Sequence, residues 1–176
     1  VYEAGTPRAR PDLPVAGKAV GARIERLDGT AKIAGTEIFG ADYWPQDALL
    51  VRAVRSPHHR ADFTFGDLDA WRTATPGVEA VLTAADIPGK NCFGVIPPFA
   101  DQPALGETGA RFRGEAVALV VGDADAIAVL DLTDFPITWT QLAECLDVAS
   151  ALADGAGQLH ANRPGNILVH GRVATG

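Results

Sequence analysis

The chain has 176 residues, 47% hydrophobic and 21% charged, with 15 Lys and Arg against 22 Asp and Glu and a net charge of −7. This composition excludes wholesale disorder, and one domain of this length, with or without tails, buries roughly 70% of its unfolded surface without staples. An acidic balance with no basic stripe argues against nucleic acid or an anionic membrane as partners, and the longest apolar run, Ala116 to Val121, is far short of the ~20 residues of a membrane span.

Val1 to Val20 carries Pro7, Pro11 and Pro14 with little periodicity and reads as a connecting strap, with no secretory signal at its start. The lack of methionine predicts that the chain does not begin at its own start codon, so that it is an excerpt or has lost something upstream. Leu49 to Val54 reads as a buried strand ended by Ser56-Pro57. Arg60 to Phe65 alternates, with Ala61, Phe63 and Phe65 on one face. Asp67 caps a short helix through Leu68, Trp71 and Ala74, which Pro76-Gly77 ends, and Val78 to Leu82 is another strand. Thr83-Ala-Ala-Asp86 has the spacing of a capping box for a single turn, stopped by Pro88-Gly89. The stretch from Gly89 to Gly114 is too long for a bare connector and predicts a functional or partner-docking loop. Glu115 to Val121 is the most apolar strand and is expected at the centre of a sheet. Asp123 then caps a helix through Ile127 and Leu130 toward Asp134, Phe135 to Trp139 returns as a strand placed near an edge by Pro136, and Glu144 to Ala153 is one more short helix. The order predicts an α+β layer, a small mixed sheet with two or three short helices, rather than a regular βαβ wind.

Residues that carry chemistry are scattered. Cys92 and Cys145 have neither CxxC spacing nor a nearby histidine and read as buried thiols. His58 and His59 are adjacent, so on a strand they face opposite ways, and His160 and His170 lie toward the end of the chain; none has metal-ligand spacing. No nucleophile elbow, dinucleotide fingerprint or phosphate loop is present, and Ser56 lacks a base with a third group behind it. The pairs Asp67 with Asp69, Asp123 with Asp125 and Asp131 with Asp134 fall at helix caps or on helix exteriors. Glu115 reads as an edge carboxylate paired to Arg111 or Arg113, and Trp44, Trp71 and Trp139 as core or interface anchors. No catalytic, cofactor-binding or metal residue is assigned.

The most specific string is Val20-Gly-Ala-Arg-Ile-Glu-Arg-Leu-Asp-Gly29, with Lys32, Gly35, Phe39 and Asp42 following in order. It resembles the opening of the α/β-hammerhead domain in the large, molybdopterin-binding subunit of the molybdenum hydroxylases, the xanthine dehydrogenase and aldehyde oxidase family. Ser56-Pro-His58, Thr75-Pro-Gly-Val78, Asp86-Ile-Pro-Gly89 with Asn91, Asp101-Gln-Pro103, the strand from Arg111 to Val121, and His160 with Gly165-Asn166 continue the likeness over about residues 20 to 170. Leu130 to Trp139 departs from it, since the family carries an alanine-rich helix leading to a Y..LP segment there.

The resemblance implies a linker over 1–19, a hammerhead domain over 20–153, and an exit segment over 154–176 leading to molybdopterin-binding domains. The parent enzyme would hydroxylate an aldehyde or N-heterocycle with water-derived oxygen, using molybdopterin, iron–sulfur clusters and in some members FAD. This chain would be its non-catalytic scaffold, inactive alone and without a cofactor of its own, and its partners would be the molybdopterin-binding domains and the iron–sulfur part. Self-association through exposed interdomain surface is also expected, with the cytoplasm as compartment and the periplasm as the alternative. The physics of the motifs agrees: Asp28-Gly29 and Arg113-Gly114 are read as tight turns between short strands, and Pro88-Gly89 and Pro97-Pro98 as stiffeners of a docked loop. The competing readings are an independent small-molecule module, which requires a closed apolar pocket, and a hydrolase built on Glu115 or His58, which requires a convergent acid–base pair.

Overall fold

The computed structural model describes residues 26–176, so the strap over 1–19 and the start of the Val20 string lie outside the described residues. The chain divides into two compact units between Gln46 and Asp47. In the first, helix α1 (Gly29–Ile33) is one turn long and has lysine in its last turn. Asp28-Gly29 therefore opens a helix instead of linking two strands as expected. The Asp28 carboxylate receives ion pairs from Arg26 and from Lys32, one helical turn on, which tie the turn from both sides. Gly35, with φ of 68°, ends it: its N–H bonds the Lys32 carbonyl at 3.2 Å, and that of Thr36 bonds the Ala31 carbonyl at 2.9 Å. This is the left-handed helix end that favours glycine, and it accounts for Gly35 following Lys32 at this spacing.

The second unit starts with β1 (Leu50–Arg55) and β2 (Ala61–Phe65) and continues through α2 (Leu68–Ala74) to β3 (Val78–Thr83). A turn of 3₁₀ helix, Ala84–Asp86, opens the long loop, and a second, Pro97–Phe99, lies within it. Then come β4 (Gly109–Ala110), β5 (Ala116–Gly122), α3 (Ala124–Val129), β6 (Ile137–Gln141) and α4 (Val148–Leu152), with a last 3₁₀ turn at Pro164–Asn166. The strands form two three-stranded sheets, ordered β1-β5-β3 and β4-β2-β6, and every pairing is antiparallel. The α+β reading holds, but the one small mixed sheet it expected is two sheets, both wholly antiparallel.

β5 is central, as its composition requires. A strand flanked on both edges and covered on both faces reads as a continuous apolar run, and Val117, Ala118 and Val120 are fully buried. β1, expected to be buried, is an edge strand. Only Val54 goes into the core while Val51 is 53% exposed, because one face of an edge strand can stay open however apolar its residues are. The core joins Val54, Val117 and Val120 of the first sheet to Phe63 of the second, Ile127 of α3 and Phe135. Rings fill the space between: Phe63 lies 5.3 Å from Trp139, and Trp71 stands edge-on to Phe135 at 5.0 Å.

Caps set the short helices. Asp67 accepts from the Ala70 N–H at 2.8 Å, and Asp123 from those of Asp125 and Ala126 at 3.0 and 3.2 Å. The reciprocal bonds of the Thr83–Asp86 box are present. α3 stops at Val129, well short of Asp134, and α4 occupies only Val148–Leu152 of the span expected from Glu144, because Asp147 caps it there through the Ser150 N–H. His58 and His59 lie in the bend after β1, not on a strand. Cys92 and Cys145 are free and only half-buried. Among the described residues no helix is long and apolar enough to cross a membrane.

Candidate functional site

The long loop is held at its neck by one amide. Asn91 Nδ2 donates to the Leu105 carbonyl at 2.8 Å and to Glu107 at 3.2 Å, while its Oδ1 accepts from the N–H groups of Ala104 and Leu105 at 3.0 and 3.2 Å. Beyond it Phe93 N–H bonds the Gln102 carbonyl at 2.8 Å. The loop is thus closed on itself, with Phe93, Val95 and Ile96 exposed along it.

At the foot of this loop lies a cluster of charged and polar side chains. Glu115 stands just before β5 and is 2% exposed. Its carboxylate accepts the Arg111 N–H at 2.5 Å and lies 3.5 Å from that residue's guanidinium, and Gln102 donates to it at 3.4 Å. Of the two arginines expected as partners, Arg111 is the one, and the carboxylate is buried instead of sitting at an edge. The cluster runs on: Arg111 Nη1 contacts His160 Nδ1 at 3.0 Å, the same nitrogen lies 3.6 Å from Asp101, and Asp101 accepts from Arg163 at 3.1 Å. Arg163 also donates to the Pro98 carbonyl and stacks over Phe99, 5.1 Å from the ring centre. Asp101 and Arg163, 62 positions apart, carried no spacing signal. Only their place in the continued resemblance set the Asp101 segment and the Gly165-Asn166 exit beside one another in interest.

An open groove of about 590 Å³ adjoins the cluster and is lined by polar groups, among them Arg60, Asp62, Asn91, Glu107 and Arg111. Its arginines are engaged. Arg60 donates to the carbonyls of Ala143 and Gln158 at 3.2 Å each, and Arg111 is held by Glu115. Such a surface is neither closed nor apolar, so the independent binding module is not favoured. The acid and base of the hydrolase reading are not brought together either: Glu115 is committed to Arg111, and His58 stands edge-on to Trp139 at 5.9 Å. The Ser56 hydroxyl closes a local turn, accepting from the His58 N–H at 3.1 Å and donating to the His58 carbonyl at 2.9 Å.

Three carboxyls, half-buried Asp28 and exposed Asp131 and Asp147, are held below their ordinary value by local bonds: Asp28 chiefly by Lys32 and then Arg26, Asp131 by the Thr133 hydroxyl, and Asp147 by the Ser150 N–H. Each is a turn or cap group. The exit segment repeats this use of polar side chains. Asn166, at φ of 58°, accepts from the Leu159 N–H at 2.9 Å and donates to the carbonyls of Ala151 and Gly157.

Residues 34–142 match the family described as the aldehyde oxidase and xanthine dehydrogenase a/b hammerhead domain. The chain belongs to that family. The matched stretch begins after the Arg26-Leu-Asp-Gly29 string and takes in both sheets. This hammerhead chain is 32% identical to the nicotinate dehydrogenase large molybdopterin subunit of Eubacterium barkeri, over 81% of its own length and 33% of that relative. It is also 32% identical to a probable xanthine dehydrogenase component of Bacillus subtilis, over 81% of the chain and 18% of that protein. Among solved structures it superposes on the aldehyde oxidoreductase of Desulfovibrio gigas with a TM-score of 0.69 and 26% identity, covering 79% of the chain and 16% of that enzyme. The chain spans a third or less of these relatives.

Proposed function

We propose that this hammerhead chain is the non-catalytic scaffold of a molybdenum hydroxylase, holding together the parts of a larger enzyme that hydroxylates an aldehyde or N-heterocycle with oxygen derived from water. The observation that carries this reading is where the polar side chains direct their bonds. Asn91, Glu115 and Asn166, all within the stretches of family resemblance, are turned onto this chain's own backbone instead of onto an open site. In this reading residues 20–153 are the hammerhead and 154–176 lead onward to molybdopterin-binding domains.

Molybdopterin, iron–sulfur clusters and any FAD would be held by those other parts. What supports this is the donor set. An iron–sulfur cluster is held by four thiolates, and the chain has two cysteines, one of them turned toward the Gly157 carbonyl. A pterin phosphate needs uncommitted cations or a helix N-terminus, whereas the groove's arginines are paired and no α-helix among the described residues exceeds seven residues. The partners would be the molybdopterin-binding domains and the iron–sulfur part of the same enzyme. Exposed Phe93, Val95 and Ile96 on the long loop support this, since contiguous apolar surface of this kind marks a contact face.

The test is metal analysis and turnover on the 176-residue chain produced in a host that makes molybdopterin. The expected result is a folded chain with neither molybdenum nor activity on aldehydes or purines. Near-stoichiometric molybdenum, or turnover of either substrate class, would overturn the proposal.

A further inference from the structure

An antiparallel sheet with one face in water alternates apolar and polar residues along its strands. The sheet β1-β5-β3 does not. Directly opposed residues of antiparallel strands share a face, so the register divides its side chains into two sets. Val54, Ala118, Val120 and Val81 lie on the covered face, where they form or pack against the core together with Ile127 of α3. On the other face stand two rows of three, Val51-Val121-Ala80 and Ala53-Leu119-Leu82. None of these six joins the core, none is fully buried, and none can ionise. Two positions before Leu119 on β5, Val117 is fully buried, and a Cβ on Gly106 of the long loop would stand 3.3 Å from it. The long loop thus closes one end of this face and leaves the two rows open.

The size of the patch selects what can cover it. Strands about 4.8 Å apart, with same-face residues about 7 Å apart, give it roughly 200 Å². A stable pair of identical chains buries about 800 Å² on each partner, so a second copy stacked here has about a quarter of that. One α-helix, about 10 Å across, spans three strands and needs only an uncharged apolar stripe toward them. The same sheet is already covered in this way on its other face, where α3 packs on β1 and β5. The chain spans a third or less of its relatives, so the enzyme has ample further chain to supply such a helix. We infer that the open face of this sheet is the seat of one amphipathic helix from the molybdopterin-binding part of the enzyme. Its apolar stripe lies over Leu119 and Val121, which explains why β5 is apolar on both faces. The inference rests on the scaffold reading and adds to it a second contact face, separate from the long loop.

The test puts a photo-crosslinking benzoylphenylalanine in place of Val51, 53% exposed on the β1 edge, in cells that make the whole enzyme. After irradiation, mass spectrometry maps the cross-linked residues. They should fall within one stretch of the molybdopterin-binding part, three or four positions apart as on one helix face. Cross-links at alternate positions of an extended segment, onto a second copy, within the same chain or onto an unrelated protein overturn the inference, as does their absence. Leu82→Lys, on the opposite edge strand, sets a charge where the helix would bury it and should lower the recovered complex at least about tenfold. Unchanged recovery overturns the inference as well, and if that variant fails to fold the cross-links alone decide. Failure of the scaffold reading shows differently, as molybdenum or turnover in the 176-residue chain by itself, whatever the cross-links give.

Discussion

Glu115 shows what a single residue can reveal only when its surroundings are known. As a residue type beside two arginines it could have been a solvated ion pair worth little. In place it is enclosed, and its carboxylate satisfies a backbone N–H as well as a guanidinium. Removing one member of such a pair leaves its partners without acceptors in a dry setting. Glu115→Ala should therefore cost about 3 kcal/mol in urea unfolding. Glu115→Gln keeps an oxygen for the Arg111 N–H and should cost about 1 kcal/mol. Equal losses for the two would show that the charge, and not the backbone bond, carries the stabilisation. The carboxylate was legible as an interesting acid before an apolar strand, and Arg111 as one of two candidate partners. Burial was not legible, because it is set by Gln102 and the loop folding over it.

At the scale of elements, the positions read most surely were those governed by local chemistry. Asp67, Thr83, Asp86 and Asp123 cap where their spacing says they should, since a cap needs only its own next few residues. Helix length was less secure. α3 stops at Val129 although Leu130 and Leu132 continue the apolar pattern, because those side chains reach the core from a loop. The junction of α2, β3 and β5 has a tertiary cause that spacing does not express. Gly77, at φ of 80°, turns back so that its carbonyl accepts the Asp123 N–H at 2.9 Å, and a Cβ on Gly122 would stand 2.0 Å from that oxygen. Gly122→Ala must push apart backbone that cannot rotate away, and a loss of more than about 3 kcal/mol is expected. Gly89→Ala is the control: a Cβ there meets nothing within 4 Å, so its effect should stay within about 0.5 kcal/mol in the same thermal or urea experiment.

For the whole molecule, the acid limb of stability carries a contribution, reduced by solvent screening, from the carboxyls of the second unit whose values are lowered in the fold. Asp131 and Asp147 lie below the ordinary value of 3.8, held by Thr133 and by the Ser150 N–H. Between the lowered and the ordinary value the unfolded chain binds more protons than the folded one, so stability rises with pH there. Their contribution is complete above about pH 4 and is lost as pH falls through the folded values. Unfolding free energy measured from about pH 6 down should thus be insensitive to these two groups until about pH 4 and then fall. Replacing both by Asn should flatten that last fall, and an unchanged acid limb would show that other carboxyls control it.

The sequence by itself determined the order of elements from β1 to β3 and from β5 to α4, the central strand, the helix caps and the family, because each rests on short-range chemistry or on residues in fixed succession. Val117, Ala118 and Val120 could only be buried, and Asn91 and Asn166 already stood at their places in the resemblance. Only the tertiary structure decided that the strands divide into two sheets, that β1 exposes a face, and that Asp28-Gly29 begins a helix. It also decided which charges meet. Asp101, Arg111 and Glu115 come from one stretch and His160 and Arg163 from another, and the contacts between the two form only once the long loop and the exit segment lie together. Pairing across such distances is set by packing, which no local pattern encodes.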